Sequence, residues 1–195
     1  MRIIAGEMRS RTILAPKGSE TRPTLDRTRE SLFNIIAAEC PGTRVLDLYA
    51  GSGALALEAI SRGADRAVLC DCSREAAAVI RRNIESLKVD DRAELLFMRD
   101  ELAIQTLAKR QEKVDLIFLD PPYRCDTAPA CKQLLEADVL LPGALVIIEH
   151  LETVTPQVPA AFRQTDRRRY RDTAITFYRI EVNENAEGVD LSGQL

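Results

Sequence analysis

One tetrapeptide in the sequence has the composition of a site for amino-group chemistry. Asp120-Pro121-Pro122-Tyr123 directly follows an apolar run at residues 116–119. The two prolines fix the loop backbone and remove two N–H donors, so that the Asp120 carboxylate and the Pro121 carbonyl remain as rigid acceptors. The ring at position 123 can stack on a planar base while these acceptors bind the hydrogens of its exocyclic amine. The tetrapeptide predicts a site that aims such an amine at an electrophile and stabilises the developing positive charge.

A glycine loop follows an earlier apolar segment, in the stretch Asp47-Leu-Tyr-Ala-Gly51-Ser-Gly53. Glycines after a strand let the backbone approach a ligand, and the next helix presents free N–H groups. The loop also satisfies G-x-G-x-x-A, the dinucleotide fingerprint, which is weak without context. The carboxylate of Asp47 would repel a pyrophosphate. It would suit an ammonium group, such as that of the methionine part of S-adenosylmethionine.

Further acids follow the next two apolar segments. Asp71 is positioned to accept hydrogen bonds from two ribose hydroxyls, and Asp100 is positioned to meet an adenine amino group. Parallel sheets bind ligands at the carboxyl ends of their strands, where these acids would gather. The predicted cofactor-binding residues are Asp47, Ala50, Gly51, Ser52, Gly53, Asp71, Cys72 and Asp100.

Apolar segments alternate with helical ones from residue 44 to residue 148, which predicts a parallel sheet covered on both faces. Residues 162–170 and 173–180 alternate in polarity, which predicts an antiparallel hairpin added to that sheet. Residues 2–5 and 11–15 are expected to be short extended pieces joined by a polar turn. A helix should follow, capped by Thr24, with one apolar face formed by Leu25, Leu32, Ile35 and Ile36.

Composition excludes several classes of protein. The chain has 195 residues, 46% of them hydrophobic, and a net charge of −3, so that it cannot bind nucleic acid through bulk charge alone. Residues 1–30 are locally basic, with seven basic against four acidic residues. Five cysteines without a C-x-x-C pair indicate neither a zinc site nor a disulfide framework. The lack of a signal peptide and of an apolar run of about 20 residues favours a cytoplasmic protein with no membrane partner.

Several segments together resemble the bacterial 16S ribosomal RNA guanine-N2 methyltransferase family, within the class I S-adenosylmethionine-dependent methyltransferases. The resemblance covers roughly residues 1–180, and Arg171 departs from it by standing where the family usually has glycine. The segments that carry it are Arg2-Ile-Ile-Ala-Gly6, Pro16-Lys-Gly18, Thr21-Arg-Pro-Thr24, Asp26-Arg-Thr-Arg-Glu30, Leu32-Phe-Asn34, Val45-Leu-Asp-Leu-Tyr-Ala-Gly-Ser-Gly-Ala-Leu55, Ser61-Arg-Gly-Ala64, Phe118-Leu-Asp-Pro-Pro-Tyr123 and Glu149.

The resemblance implies an α/β fold of the Rossmann-like methyltransferase type. Its seven-stranded, mostly parallel sheet should carry a C-terminal antiparallel hairpin and a short N-terminal β-hairpin extension. We expect an extension at residues 1–24, a methyltransferase domain at residues 25–181 and an acidic tail at residues 182–195. The implied reaction moves a methyl group from S-adenosylmethionine to N2 of one guanine in 16S ribosomal RNA, within an assembling small subunit. The implied catalytic residues are Asp120, Pro121, Pro122 and Tyr123, with no metal ion.

The basic N-terminal region is the predicted RNA contact. Its arginines are expected to flank the mouth of the crevice, because the N-terminal segment must pack near the carboxyl edge of the sheet to join the site. The predicted RNA-binding residues are Arg9, Arg11, Arg22, Thr24, Arg27 and Arg29.

Three other functions stay open at this point. The same tetrapeptide also serves DNA, other RNA and protein amino-methyltransferases. The glycine loop alone would permit a nicotinamide-dependent oxidoreductase, although Asp120-Pro121-Pro122-Tyr123 has no role in one. A non-enzymatic RNA-binding module would use only the basic face and would leave the acids at the strand ends unexplained.

Overall fold

The computed structural model describes residues 1–16, 23–122 and 125–181, with residues 23–26 described as backbone only. Within these ranges the chain forms a seven-stranded sheet and five α-helices. The strands are β1 (Arg44–Asp47), β2 (Arg66–Cys70), β3 (Ala93–Leu96), β4 (Val114–Leu119), β5 (Leu140–Leu151), β6 (Phe162–Tyr170) and β7 (Thr173–Ile180). The helices are α1 (Pro23–Ile35), α2 (Ala54–Ser61), α3 (Arg74–Leu87), α4 (Asp100–Lys109) and α5 (Ala128–Glu136).

The sheet has the strand order β3-β2-β1-β4-β5-β7-β6. The first five strands in this order are parallel, whereas β7 runs antiparallel to both β5 and β6. The predicted class I methyltransferase architecture with a C-terminal antiparallel hairpin is therefore confirmed. The direction of winding reverses between β1 and β4, and such a switch point opens a crevice at the carboxyl ends of the strands.

Two apolar clusters cover the two faces of the sheet. The N-terminal segment and helices α1 to α3 pack on one face, where Phe33 lies against Phe118 with ring centroids 5.9 Å apart. Helices α4 and α5 pack on the other face, where Ile104 and Leu134 belong to one cluster with Ile117. Continuous apolar strands are expected of a sheet that is buried on both sides.

The N-terminal extension packs against helices α2 and α3. Its two extended pieces share one antiparallel bridge, between Arg2 and Thr12, so the hairpin is shorter than a β-ladder. Three of its apolar side chains, Ile3, Met8 and Ile13, are buried in the core. The turn needs Gly6, which has a φ of +82° and whose added Cβ would lie 1.7 Å from the Ser61 carbonyl oxygen.

Buried polar side chains on α2 and α3 hold this extension. The Glu58 carboxylate accepts hydrogen bonds from the backbone N–H groups of Ile4 at 2.7 Å and Ala5 at 3.0 Å. The Asn83 amide accepts from the Leu14 N–H at 2.8 Å and donates to the Leu14 carbonyl at 3.0 Å. These contacts satisfy backbone groups that would otherwise be buried without partners.

The start of α1 differs from the prediction. The helix begins at Pro23, a residue suited to a first helical position, so Thr24 lies inside the helix rather than before it. The expected apolar face also shifts, because Ile35 is 41% exposed while Phe33 is buried. In the described parts of the chain, no helix is long and apolar enough to cross a membrane.

Candidate active site

Four acidic side chains lie at the carboxyl ends of four neighbouring strands. The register pairs Asp47 of β1 with Leu69 of β2 and with Phe118 of β4. Because side chains alternate between the faces of a strand, Asp71 and Asp120, two residues further along, project on the same face as Asp47. In sheet order the four acids are Asp71, Asp47, Asp120 and Glu149.

Asp120 and Glu149 form the closest pair of this row. The register pairs Leu119 with Ile148, so the two acids follow at matching positions of adjacent strands, which lie about 4.8 Å apart. Burial raises the pKa of both carboxyl groups, and their mutual repulsion adds to the rise at Glu149. A hydrogen bond from Thr173 to Glu149 opposes part of that rise. The pair can therefore accept protons near neutral pH.

A crevice of about 360 Å³ opens over this face of the sheet, within the usual size range of small-molecule sites. Six of the predicted catalytic and cofactor-binding residues line it: Ala50, Gly51, Ser52, Asp71, Asp120 and Pro122. The N-terminal region adds further lining residues, among them Met1, Ala15, Thr28, Arg29 and Leu32. Tyr49 and Glu149 also line the crevice, although the sequence placed them only in motifs of the family resemblance and not among the predicted site residues.

The Asp71 carboxylate fixes the glycine loop by hydrogen bonds to backbone N–H groups. Its Oδ2 accepts a hydrogen bond from the Gly51 N–H at 2.9 Å, and its Oδ1 accepts from the Ser73 N–H at 2.8 Å. Gly53 has a φ of +79°, and a Cβ there would lie 2.8 Å from the Leu69 side chain. Only glycine fits that position, because both the backbone angle and the space exclude a side chain. The loop therefore keeps a fixed shape at the start of α2.

Asp71→Ala should weaken the binding of S-adenosylmethionine by about 1.5–3 kcal/mol, the scale of losing hydrogen bonds to a charged group. The loss has two sources, the proposed ribose contact and the bond that fixes Gly51. A calorimetric titration measures it, with the exposed Asp90→Ala as a control of equal charge change. An unchanged titration for Asp71→Ala would move the contact elsewhere.

Asp47 lies beneath the loop and is 1% exposed. Burial, together with the neighbouring Asp120 carboxylate, raises the pKa of Asp47 to about 8. Its Oδ1 atom has no hydrogen-bond partner among the described residues. A buried carboxylate oxygen without a partner is unfavourable, and a cationic ligand group nearby would stabilise the charged form. Asp47 is not among the residues that line the crevice, but its buried carboxylate behind the glycine loop suits a ligand that carries an ammonium group.

The raised pKa of Asp47 predicts a pH-dependent stability. Between the unfolded value near 3.8 and the folded value near 8, only the folded state holds this proton, so its contribution to stability falls as pH rises through that window. Asp47→Asn lacks the titration. We expect the Tm of the ligand-free variant to exceed that of the parent by a margin that grows from pH 5 to pH 8. Thermal melts test this, and a margin independent of pH would contradict it.

Asp100 is connected to the crevice by a hydrogen bond with Tyr49. The Tyr49 hydroxyl donates to Asp100 Oδ2 at 2.7 Å, and burial with this hydrogen bond raises the tyrosine pKa. Asp100 is the first residue of α4 and does not line the crevice, whereas Tyr49 does. Cys72 is exposed and also lies outside the crevice lining. The adenine contact predicted for Asp100 thus has Tyr49 as a second candidate.

The loop predicted to be catalytic, Asp120–Tyr123, is described as far as Pro122. Pro121 is buried and Pro122 is exposed, and the Pro122 carbonyl accepts a hydrogen bond from the Cys125 N–H at 2.8 Å. Tyr123 lies outside the described residues. Among the residues described, no cluster of His, Cys, Asp and Glu is suited to hold a metal ion.

Two of the arginines predicted for RNA lie far from the crevice. Arg11 donates to the carbonyls of Ser86 and Leu87 at the end of α3, which is at the amino edge of the sheet. Glu7, in the same turn as Arg9, forms an ion pair with Arg92 just before β3. The expectation that Arg9 and Arg11 flank the mouth is wrong, because the extension turns at the amino edge.

The other residues predicted to bind RNA differ in their position and burial. Arg29 is buried in the crevice wall, where its Nη2 donates to the Arg2 carbonyl at 2.5 Å. Arg27 is exposed on α1. Arg22 lies outside the described residues, and Thr24 is described as backbone only.

Comparison with known proteins agrees with this architecture. The family described as Conserved hypothetical protein 95 matches residues 1–179. Ribosomal RNA small subunit methyltransferase D of Escherichia coli K12 is 36% identical over 162 residues, covering 82% of this chain and 80% of that protein. The chain belongs to the ribosomal RNA small subunit methyltransferase D family. The predicted family membership is confirmed.

Other relatives match over nearly their whole length. YlbH of Bacillus subtilis strain 168 is 34% identical over 181 residues, covering 92% of this chain and 98% of that protein. The solved structure of yhhF from Escherichia coli has a TM-score of 0.81 at 33% identity, covering 93% of this chain and 98% of that one. The family fold therefore extends from the N-terminal extension to the final hairpin.

Proposed function

We propose that this protein transfers a methyl group from S-adenosylmethionine to the exocyclic N2 of a guanine in small-subunit ribosomal RNA. The observation that carries the choice of base is the pair of neighbouring acids, Asp120 and Glu149, on one wall of the crevice. The Escherichia coli relative is named as a methyltransferase of small-subunit ribosomal RNA, which supports the choice of RNA.

The cofactor is S-adenosylmethionine, which supplies a methyl group on a positively charged sulfur when bound. Asp47 and Asp71 are the residues that would hold it, at its ammonium group and its ribose respectively. The row of acids favours a cationic ligand over a pyrophosphate, because like charges repel. This argues against the nicotinamide-dependent alternative.

The residues of the catalytic loop hold the amine. The Asp120 carboxylate and the Pro121 carbonyl accept hydrogen bonds from the two N–H groups of the amine. This geometry turns the nitrogen lone pair toward the electrophile. Nitrogen gains positive charge as it gains the methyl group, and the Asp120 carboxylate stabilises that charge. Asp120 then accepts the proton that the nitrogen releases. Its raised pKa, near 6, suits a base that works at neutral pH.

The second acid distinguishes the bases. Guanine presents its N1–H donor beside the N2 amine, whereas adenine presents an N1 acceptor beside its N6 amine. In its ionised form Glu149, adjacent to Asp120, can accept the N1–H of guanine but would face the N1 lone pair of adenine unfavourably. The N1–H donor favours that ionised form and so opposes the raised pKa of Glu149. Because this edge is paired inside a helix, the target must be an unpaired or flipped nucleotide.

The analogue 2-aminopurine tests this assignment, since it keeps the 2-amino group and lacks N1–H. On small-subunit particles carrying 2-aminopurine at the target position, the parent enzyme should be slower than on guanine by roughly 10–100-fold, the scale of an unpaired buried acceptor. Glu149→Gln should lower the rate on guanine and narrow this ratio, because its amide can donate to N1 of the analogue. The same ratio in both enzymes would contradict the role of Glu149.

A further inference from the structure

Arg168 lies in register with the acidic residue Glu149 across the sheet. Glu149 of β5 pairs with Ile175 of β7, and Ile175 pairs with Arg168 of β6. Directly paired residues share a face, so Arg168 projects on the crevice side of the sheet, two strands or about 10 Å from Glu149. Arg168 belongs to a run of three arginines, Arg167–Arg169, and the proposed chemistry does not use it.

A surface groove joins Arg168 to α1. The groove has a volume of about 500 Å³, and both Arg27 and Arg168 line it. The opposite side of α1 contributes Arg29 and Leu32 to the crevice. Because an α-helix is about 10–12 Å across with its side chains, one helix width separates the groove from the active site.

Arg171 occupies the tip of the β6–β7 hairpin. It is exposed and has a φ of +55°, a left-handed conformation that favours glycine. The Glu152 N–H donates to the Asp172 carbonyl at 2.9 Å, which fixes the tip beside the end of β5, at the carboxyl edge. The hairpin tip therefore presents an exposed guanidinium group at the carboxyl edge, at a position where glycine would be free of backbone strain.

The charges on this edge are available to a ligand. Arg168 is paired with Asp166 at 2.8 Å, an exposed contact of small energetic value. Within the described part of the chain, neither Arg27 nor Arg171 has a carboxylate within 4 Å. Solvated guanidinium groups bind phosphates well, because they offer several donors in a plane.

We propose that Arg27, Arg168 and Arg171 form a phosphate-binding surface, the arginine surface, for the RNA strand that delivers its base to the crevice. This inference rests on the proposed function. It moves the RNA contact from the N-terminal turn to the hairpin end of the carboxyl edge. Phosphate contacts there hold the strand in register without reading its sequence.

The experiment compares two triple variants that remove the same charge. Arg27→Ala/Arg168→Ala/Arg171→Gly alters the arginine surface, while Arg9→Ala/Arg44→Ala/Arg66→Ala removes exposed arginines near the amino edge. Binding to an unmodified small-subunit ribosomal RNA transcript is measured from 50 to 200 mM salt. The first variant should bind roughly tenfold or more weakly, with a log–log salt slope reduced by about 2–3, since each phosphate contact contributes about 0.7–0.9.

A second readout separates binding from folding. Arg171→Gly alone should raise the Tm, because glycine relieves the left-handed strain, and should still weaken RNA binding. Equal losses in both triple variants, or no loss at the arginine surface, would overturn this surface. Methylation of small-subunit particles by the parent is followed in parallel. Absence of methylation would instead refute the proposed function on which the inference rests.

Discussion

Asp120→Ala should lower turnover by about 10²–10⁴-fold, the range lost with a positioned general base, while S-adenosylmethionine affinity stays within a few-fold. The proposed contact of Asp120 is to the nucleophilic amine and would strengthen chiefly in the transition state, so kcat should fall more than KM rises. Asp120→Asn should lose less, because it keeps one acceptor for the amine. Single-turnover methyl transfer measures the effect.

Stability can be separated from chemistry in this variant. The Asp120 carboxylate raises the pKa of both Asp47 and Glu149, so its removal relieves repulsion and should not lower the Tm. The exposed Asp91→Ala serves as a control of equal charge change. Near-parent turnover in a folded Asp120→Ala protein would show that the catalytic role assigned to this loop is wrong.

Glu58→Ala should destabilise the protein by about 3–5 kcal/mol, the scale of breaking a buried ion pair. Glu58 is fully buried, binds two N–H groups of the N-terminal extension and pairs with Arg62 Nε at 2.8 Å. Its loss leaves all three donors without their acceptor. Thermal unfolding should shift down by roughly 6–20 °C for a chain of this length.

Glu58→Gln removes the charge of the side chain but keeps its size. Glu58→Gln keeps one acceptor for the extension and should lose less stability than Glu58→Ala. Because the extension brings Met1 and Ala15 to the crevice, the alanine variant should also bind S-adenosylmethionine more weakly at temperatures where it is folded. Equal Tm values for the parent and Glu58→Ala would mean that the extension is held by its apolar contacts alone.

The parallel strands, and the carboxyl edge at which they end, were predictable because each strand is marked by its own apolar run in the sequence. The apolar runs of β1, β2 and β4 fit strands that are buried on both faces, as the sequence predicts. The course of the N-terminal extension was not predictable. Basic residues near the chain start gave no sign that Arg11 binds carbonyl groups at the far end of α3, because that contact depends on the packed fold.

The site was predictable where an acid follows an apolar run. Glu149 was not selected, because β5 extends to Leu151 through pairing with β7, and the short apolar run at residues 144–148 gave no sign of this partner. The sequence feature that could have identified Glu149 is its position as an acidic residue directly after that apolar run. The structure places it in register with Asp120. Tyr49 was hidden inside the glycine-loop motif, and only the fold shows that it stands between Asp100 and the crevice.

Identification of the methylated base tests the proposed function most directly. The purified protein is incubated with labelled S-adenosylmethionine and, side by side, unmodified small-subunit particles, naked small-subunit RNA and DNA, and the products are digested and resolved by mass. We expect N2-methylguanine in RNA and no label in DNA. Label on adenine or cytosine, or transfer to DNA in preference to RNA, would contradict it.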